Sequence, residues 1–192
     1  MERLKLYKGN RVTLMACSSC NANCNDCYIG YNGDRTPEDL YNVAFTLLQD
    51  GKHVRIDDAE VLTNLEYLKT LKLVGQNWIM TNGLRIYQDH SIIKLLKNNG
   101  IDTVYISYHF GIQNTIESIP SNIIDEVIKL LKDNGFNIYL NCTLTSKNCN
   151  GIIEYAQHKV MITPDSNVYC CNAMCKPGYE IDIYKNGKIY LY

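Results

Sequence analysis

Apolar residues recur along this chain in two rhythms: short runs bounded by turn residues, and longer stretches at helical spacing. Arg11-Val12-Thr13-Leu14-Met15-Ala16 reads as a strand. Thr36-Pro37-Glu38-Asp39 starts a helix, with a capping hydroxyl, proline at the first helical position and acids in the first turn. Leu40, Val43, Ala44, Leu47 and Leu48 give that helix one apolar face, and Gly51 closes it. His53–Asp57 predicts a second strand, and Val61, Leu62, Leu65, Leu68 and Leu71 a second amphipathic helix.

The alternation continues. Trp78-Ile79-Met80 predicts a buried strand, and Ile92, Ile93, Leu95 and Leu96 a helix ending at Gly100. Val104-Tyr105-Ile106 predicts the fourth strand. A helix from about Pro120 carries Ile123, Ile124, Val127, Ile128 and Leu131 and stops at Gly135. Ile138-Tyr139-Leu140 predicts the fifth strand, residues 152–157 a short helix, and Val160-Met161-Ile162 a sixth strand. Strands alternating with helices in this way predict parallel pairing through right-handed crossovers. Towards the C-terminus, two apolar-polar runs, 181–184 and 188–191, flank Asn186-Gly187, a strong hairpin signal that predicts a small β appendage.

Bulk composition adds little. The 192 residues suit one domain with a sizeable core, and 46% hydrophobic residues is ordinary for a globular chain. No apolar run approaches the roughly 18 residues of a membrane span. Residues 1–8 alternate polar and apolar and lack a signal peptide's apolar core. These features predict a soluble, cytoplasmic protein. The net charge of −1, without a long basic block, gives no sign of a nucleic-acid surface.

The nine cysteines change the picture. They are odd in number and fall in two tight groups plus Cys142 and Cys149. Clustered thiols in a reducing compartment point to metal or redox sites, not to a disulfide framework. Cys20, Cys24 and Cys27 follow the first strand with C-x3-C-x2-C spacing. Three thiolates on a short loop can take three corners of a cubane cluster, leaving one iron open as in catalytic metal sites. Cys17 precedes the triplet, so four thiolates could instead hold zinc or an electron-transfer cluster. Otherwise Cys17 is a core residue.

The triplet resembles that of the radical S-adenosylmethionine (radical SAM) superfamily. The resemblance implies a four-iron, four-sulfur cluster on Cys20, Cys24 and Cys27. Its open iron would chelate the amino and carboxylate groups of SAM. An electron then cleaves the sulfonium, and a 5′-deoxyadenosyl radical takes hydrogen from a substrate. Where the family has an aromatic residue before the third cysteine, this chain has Asp26, with Tyr28 following.

Later segments match the same family at strand ends, where a parallel barrel places its chemistry. Asp58-Ala59-Glu60-Val61 stands where the family has Gly-Gly-Glu-Pro, so Glu60 aligns with the acid; its other reading is a first-turn acid at a helix start. Thr81-Asn82-Gly83 is similar to the family's Thr-Asn-Gly, or is an ordinary turn. Ser107, in Ser107-Tyr108-His109, matches a serine near the cofactor's ribose or carboxylate. His109 is a proton donor, a substrate contact or a structural residue. Asn141, with Thr143 and Asn148, resembles positions of peptide-modifying members. Glu60, Thr81, Asn82, Ser107 and Asn141 are thus the SAM-contact candidates.

The second cysteine group, Cys170, Cys171 and Cys175, follows Pro164-Asp165-Ser166. It resembles the auxiliary-cluster extensions of SPASM/twitch-type peptide-modifying members, in a much shorter chain. The resemblance implies at most one further cluster, on Cys149, Cys171, Cys175 and either Cys142 or Cys170. Adjacent residues of an extended segment point to opposite faces, so Cys170 and Cys171 do not both suit one metal. Zinc, a redox pair or substrate-contacting thiols compete with that cluster.

Together these readings predict an α/β fold, a partial (β/α)6 TIM-like barrel with a C-terminal β-hairpin appendage. It is open on one side because six strands cannot close as eight do. Residues 1–163 would form the radical SAM core and residues 164–192 a short cysteine-containing extension. The expected activity is hydrogen abstraction from a peptide or small molecule, with a reductant such as flavodoxin or ferredoxin. A homodimer or partner chain would complete the site, and residues 26–36 are a candidate lid. The alternatives are a non-catalytic iron–sulfur carrier or scaffold and a zinc-stabilised interaction domain.

Overall fold

The computed structural model describes residues 10–24, 33–108 and 119–141, and the backbone of two strands further on. In chain order the elements are β1 (Arg11–Met15), α1 (Pro37–Gln49), β2 (His53–Asp57), α2 (Tyr67–Leu73), β3 (Trp78–Thr81), α3 (Leu84–Gln88), α4 (Ile92–Asn98), β4 (Thr103–Ser107), α5 (Ser121–Asp133) and β5 (Asn137–Asn141). β1 pairs with β2 in parallel, with Arg11 opposite His53. β3, β4 and β5 form a second parallel sheet, with Trp78 opposite Thr103 and Thr103 opposite Asn137. Among the described residues the strands do not close into a barrel.

A side chain spans the gap between the two sheets. The Ile56 N–H donates to Gln76 Oε1 at 2.9 Å, and Gln76 Nε2 donates to the carbonyls of Ile56 at 3.1 Å and Trp78 at 3.2 Å. The amide of Gln76 does between β2 and β3 what a backbone ladder does elsewhere, satisfying polar groups that burial would leave unpaired. Arg55 crosses the same gap, its guanidinium 4.7 Å from the centre of the Trp78 ring.

Alternate strand residues enter one core. Val12, Leu14, Ile56, Ile79, Val104 and Ile106 are buried with Leu40 and Ala44 of α1, Leu68 and Leu71 of α2, Leu96 of α4, and Ile124, Val127 and Leu131 of α5. The opposite strand face carries an aromatic row. Trp78 meets Tyr105 edge-on with ring centres 5.6 Å apart, and Tyr105 stacks on Tyr139 at 5.1 Å.

Local chemistry sets the element ends. Thr36 caps α1, its hydroxyl oxygen accepting the Asp39 N–H at 3.1 Å, with Pro37 first in the helix. The single helix expected over Val61–Leu71 is instead a 3-10 turn, Val61–Thr63, followed by α2. Asn64 is extended between them, and its Oδ1 accepts the Glu66 N–H at 3.1 Å. That local bond competes with continuing the helix, although the apolar spacing allows it. The short helix α3 was not among the expected elements.

The expected helix at 152–157 and sixth strand at 160–162 lie outside the described residues. β6 (Ile181–Tyr184) pairs antiparallel with β7 (Lys188–Leu191), Ile181 opposite Leu191; the Asn186-Gly187 turn lies outside the described residues. Among the described residues, no helix is long and apolar enough to cross a membrane.

Candidate functional site

The sequence-selected residues gather at the C-terminal ends of the parallel strands. Glu60 follows β2 and is fully buried. Its Oε1 accepts the Leu62 N–H at 3.2 Å and the Thr81 hydroxyl at 2.8 Å, and its Oε2 accepts the Asn82 N–H at 2.8 Å. A buried carboxyl group needs such donors to offset its loss of water. Glu60 is thus the N-cap of the 3-10 turn, its side chain capping the Leu62 N–H, and it also ties the end of β2 to the end of β3.

The chain of bonds continues through Asn82, which is 5% exposed. Asn82 Oδ1 accepts the Leu84 N–H at 3.0 Å. Asn82 Nδ2 donates to Asn21 Oδ1 at 2.8 Å and to Cys20 Sγ at 3.5 Å. Cys20 Sγ also accepts the Ala22 N–H at 3.4 Å. Glu60, Asn82 and Cys20 thus form one connected structure across three strand ends. Gly83 completes the segment with φ 80°, a left-handed conformation that glycine adopts without strain, and its N–H donates to Thr81 Oγ1 at 3.1 Å.

The approach to Cys20 is held from the other side by Asp34. Its Oδ1 accepts the N–H groups of Ser18 at 2.9 Å and Ser19 at 3.0 Å, and its Oδ2 accepts the Ser19 hydroxyl. The Ser19 hydroxyl, helped by these N–H groups, holds the Asp34 carboxyl below the usual carboxylate range. Asn21, Asp34 and Gln76 were not singled out in the sequence. Their residue types are common, and their partners lie 61, 15 and 20 residues away in the chain.

Cys17 stands apart from the triplet. It is 1% exposed, and its thiol donates to the Glu60 carbonyl at 3.5 Å. Burial pushes the Cys17 thiol up, which disfavours a metal-binding thiolate. Asp58 lies close by, and its Oδ1 is buried with no hydrogen-bond partner among the described residues. Burial, with the charges of Glu60 and Asp57, pushes its carboxyl well above the usual range.

Ser107 and Asn141 are paired at the ends of β4 and β5, and Asn141 Nδ2 lies 3.2 Å from Met80 Sδ. Thr81 and Asn82 end β3 on the same edge. The structure joins Glu60, Thr81, Asn82 and Cys20 directly, and Ser107 and Asn141 share the same strand-end edge. Cys27, Asp26, Tyr28, His109, Cys142, Asn148, Cys149, Cys170, Cys171 and Cys175 lie outside the described residues.

Among the described residues, the donor chemistry fits an iron–sulfur cluster. Cys20 is exposed, Cys24 is partly exposed, and neither is in a disulfide. The two N–H groups directed at Cys20 Sγ are the kind of outer support that ligating sulfurs receive. Among the described residues no group of three metal-binding side chains is gathered; Cys27, the third of the triplet, is outside them.

No family model and no curated protein matches this sequence. Solved structures do. The structure of anSMEcpe with bound AdoMet matches with a TM-score of 0.61 and 21% identity, over 78% of this chain and 49% of its own. SuiB of Streptococcus suis, bound to precursor peptide SuiA, matches with a TM-score of 0.59 and 15% identity, over 76% of this chain and 36% of its own. Methylornithine synthase (PylB) matches with a TM-score of 0.56 and 17% identity, over 86% of this chain and 55% of its own. The chain spans about half the length of anSMEcpe. These neighbours are radical SAM enzymes, and their likeness to this chain is one of backbone fold. Over most of its own length this chain shares a parallel α/β fold with part of these solved radical SAM enzymes.

Proposed function

We propose that the chain is a radical SAM enzyme in which Cys20, Cys24 and Cys27 hold a four-iron, four-sulfur cluster. The observation that carries this reading is the bonded path from Glu60 through Asn82 to Cys20. It links three segments that match the family independently in sequence, at the strand edge where a parallel α/β fold places its chemistry. When bound, the cluster and SAM together supply the radical chemistry.

The residues of this chain supply position. Asp34 and Asn82 hold the Cys20 segment from two sides. Glu60 fixes the ends of β2 and β3 relative to each other. Thr81, Asn82, Ser107 and Asn141, with Glu60, are the proposed SAM-contacting set. The burial of Cys17 favours three ligands over four, and hence the open-iron site over a four-thiolate zinc or electron-transfer site.

A peptide is the favoured substrate class, because anSMEcpe and SuiB have been solved with peptides; methylornithine synthase keeps a small molecule in view. A low-potential carrier such as flavodoxin or ferredoxin would supply the electron. A second cluster on Cys149, Cys171 and Cys175, and a homodimer or partner completing the site, belong to the same proposal.

The test is anaerobic reconstitution with iron and sulfide, followed by SAM, dithionite and candidate peptides. Formation of 5′-deoxyadenosine by the loaded protein, and its loss in Cys24→Ala, supports the proposal. A fully loaded protein that forms none contradicts it, and zinc in the protein as isolated, with no cluster formed, favours the interaction domain.

A further inference from the structure

Asn82 is held in one orientation at four points. Its backbone N–H is fixed by Glu60 Oε2 at 2.8 Å, and its Oδ1 by the Leu84 N–H at 3.0 Å. Its Nδ2 is fixed by Asn21 Oδ1 at 2.8 Å and faces Cys20 Sγ at 3.5 Å. Turning the amide over would set Oδ1 against the oxygen of Asn21 and the sulfur of Cys20, and Nδ2 against the Leu84 N–H. Acceptor would face acceptor and donor would face donor, so the network selects the orientation in which the N–H meets sulfur.

We propose that Asn82 is a positioning residue for Cys20 and that its N–H···S bond raises the reduction potential of the cluster. The inference rests on the cluster reading above and assigns Asn82 a role towards iron–sulfur chemistry, not only towards SAM. Hydrogen bonds to the sulfurs are among the features that set such potentials. A donor directed at a ligand sulfur stabilises added negative charge, and it does so more strongly where water is excluded. Asn82 is 5% exposed, so the donor end of the bond is sheltered, while Cys20 at the other end is exposed. The Ala22 N–H donates to the same sulfur at 3.4 Å, which makes the Cys20 corner a donor-rich one.

The experiment is a dithionite titration of the reconstituted full chain, followed by electron paramagnetic resonance, on the wild type, Asn82→Ala and Asn82→Asp at equal iron content. Dithionite gives the cluster one electron, and no bond forms or breaks. The midpoint potential should become more negative in Asn82→Ala and more negative still in Asn82→Asp, where a negative group replaces the donor. Unchanged midpoints in both variants overturn the assignment of potential. Hydrogen exchange of the cluster-free chain provides the second arm. Residues 17–24 should exchange faster in Asn82→Ala than in the wild type, and equal rates overturn the positioning role. If the wild type forms no cluster, the cluster reading fails and takes the potential with it, while the exchange arm still decides whether Asn82 holds Cys20.

Discussion

The backbone N–H of Asn82 donates to Glu60 Oε2 at 2.8 Å, joining residues 22 positions apart at the ends of neighbouring strands. The same carboxylate takes the Thr81 hydroxyl and the Leu62 N–H. Glu60→Gln replaces one acceptor oxygen by an NH2 group that must face a donor. Leaving buried donors unsatisfied costs about 1–3 kcal/mol, so urea unfolding should show a loss of that order. Iron retention after reconstitution should fall as well. An unchanged unfolding midpoint would mean that the three bonds contribute nothing net.

Gln76 offers a second test, away from the cysteines. Gln76→Leu keeps similar bulk but leaves the Ile56 N–H and the carbonyls of Ile56 and Trp78 without their partner. A loss of about 2–4 kcal/mol in urea unfolding is expected, since more than one buried group is stranded. Gln76→Glu should also destabilise, because a carboxylate cannot donate to either carbonyl.

Gly83 and Gly51 separate backbone strain from crowding. Both have positive φ, 80° and 71°. A Cβ at Gly83 would lie 3.3 Å from Val127 Cγ1, whereas one at Gly51 would meet nothing within 4 Å. Gly51→Ala should therefore cost only the left-handed penalty of about 1–2 kcal/mol. Gly83→Ala should cost more, measured by thermal or urea unfolding, and should disturb Thr81 and Asn82, two of the proposed SAM contacts.

Asp58 predicts a pH dependence of definite sign. Its carboxyl in the folded chain is pushed well above the unfolded value, chiefly by burial. Between those two values the folded state binds the extra proton, so stability falls as pH rises. The full stability is present below the unfolded value and is lost as pH climbs through the folded one. Asp58→Asn should remove this dependence and unfold at higher urea than the wild type at pH 8, with a smaller difference at pH 5. Parallel profiles for the two proteins would show that Asp58 ionises freely.

Much of the fold was legible because its signals are local. The cap at Thr36-Pro37 and the apolar face from Leu40 to Leu48 mark α1, and short apolar runs mark β1 to β5. The segment after Glu60 was misread because apolar spacing records which residues will be buried, not which local bonds compete with a helix. There Glu60 takes the Leu62 N–H and Asn64 takes the Glu66 N–H, and the helix starts late. Five residues of α3 are too few to show a period.

The site was legible as a set of strand-end residues, not as a network. Resemblance picked out Glu60, Thr81 and Asn82 as SAM contacts, while the structure places their polar atoms largely in bonds to one another and to Cys20. Asn21 was invisible in sequence because only the approach of β3 to the cysteine loop gives it a partner. Asp34 depends in the same way on its segment returning to Ser18 and Ser19.

The proposed cluster on Cys20, Cys24 and Cys27 would leave one iron open to SAM. The most direct measurement is the electron paramagnetic resonance spectrum of the reduced, fully iron-loaded protein before and after SAM is added. Binding of the amino and carboxylate groups at the open iron predicts a changed spectrum, absent in Cys24→Ala because that variant holds no cluster. A spectrum that SAM leaves unaltered, at full iron loading and saturating SAM, would contradict the account.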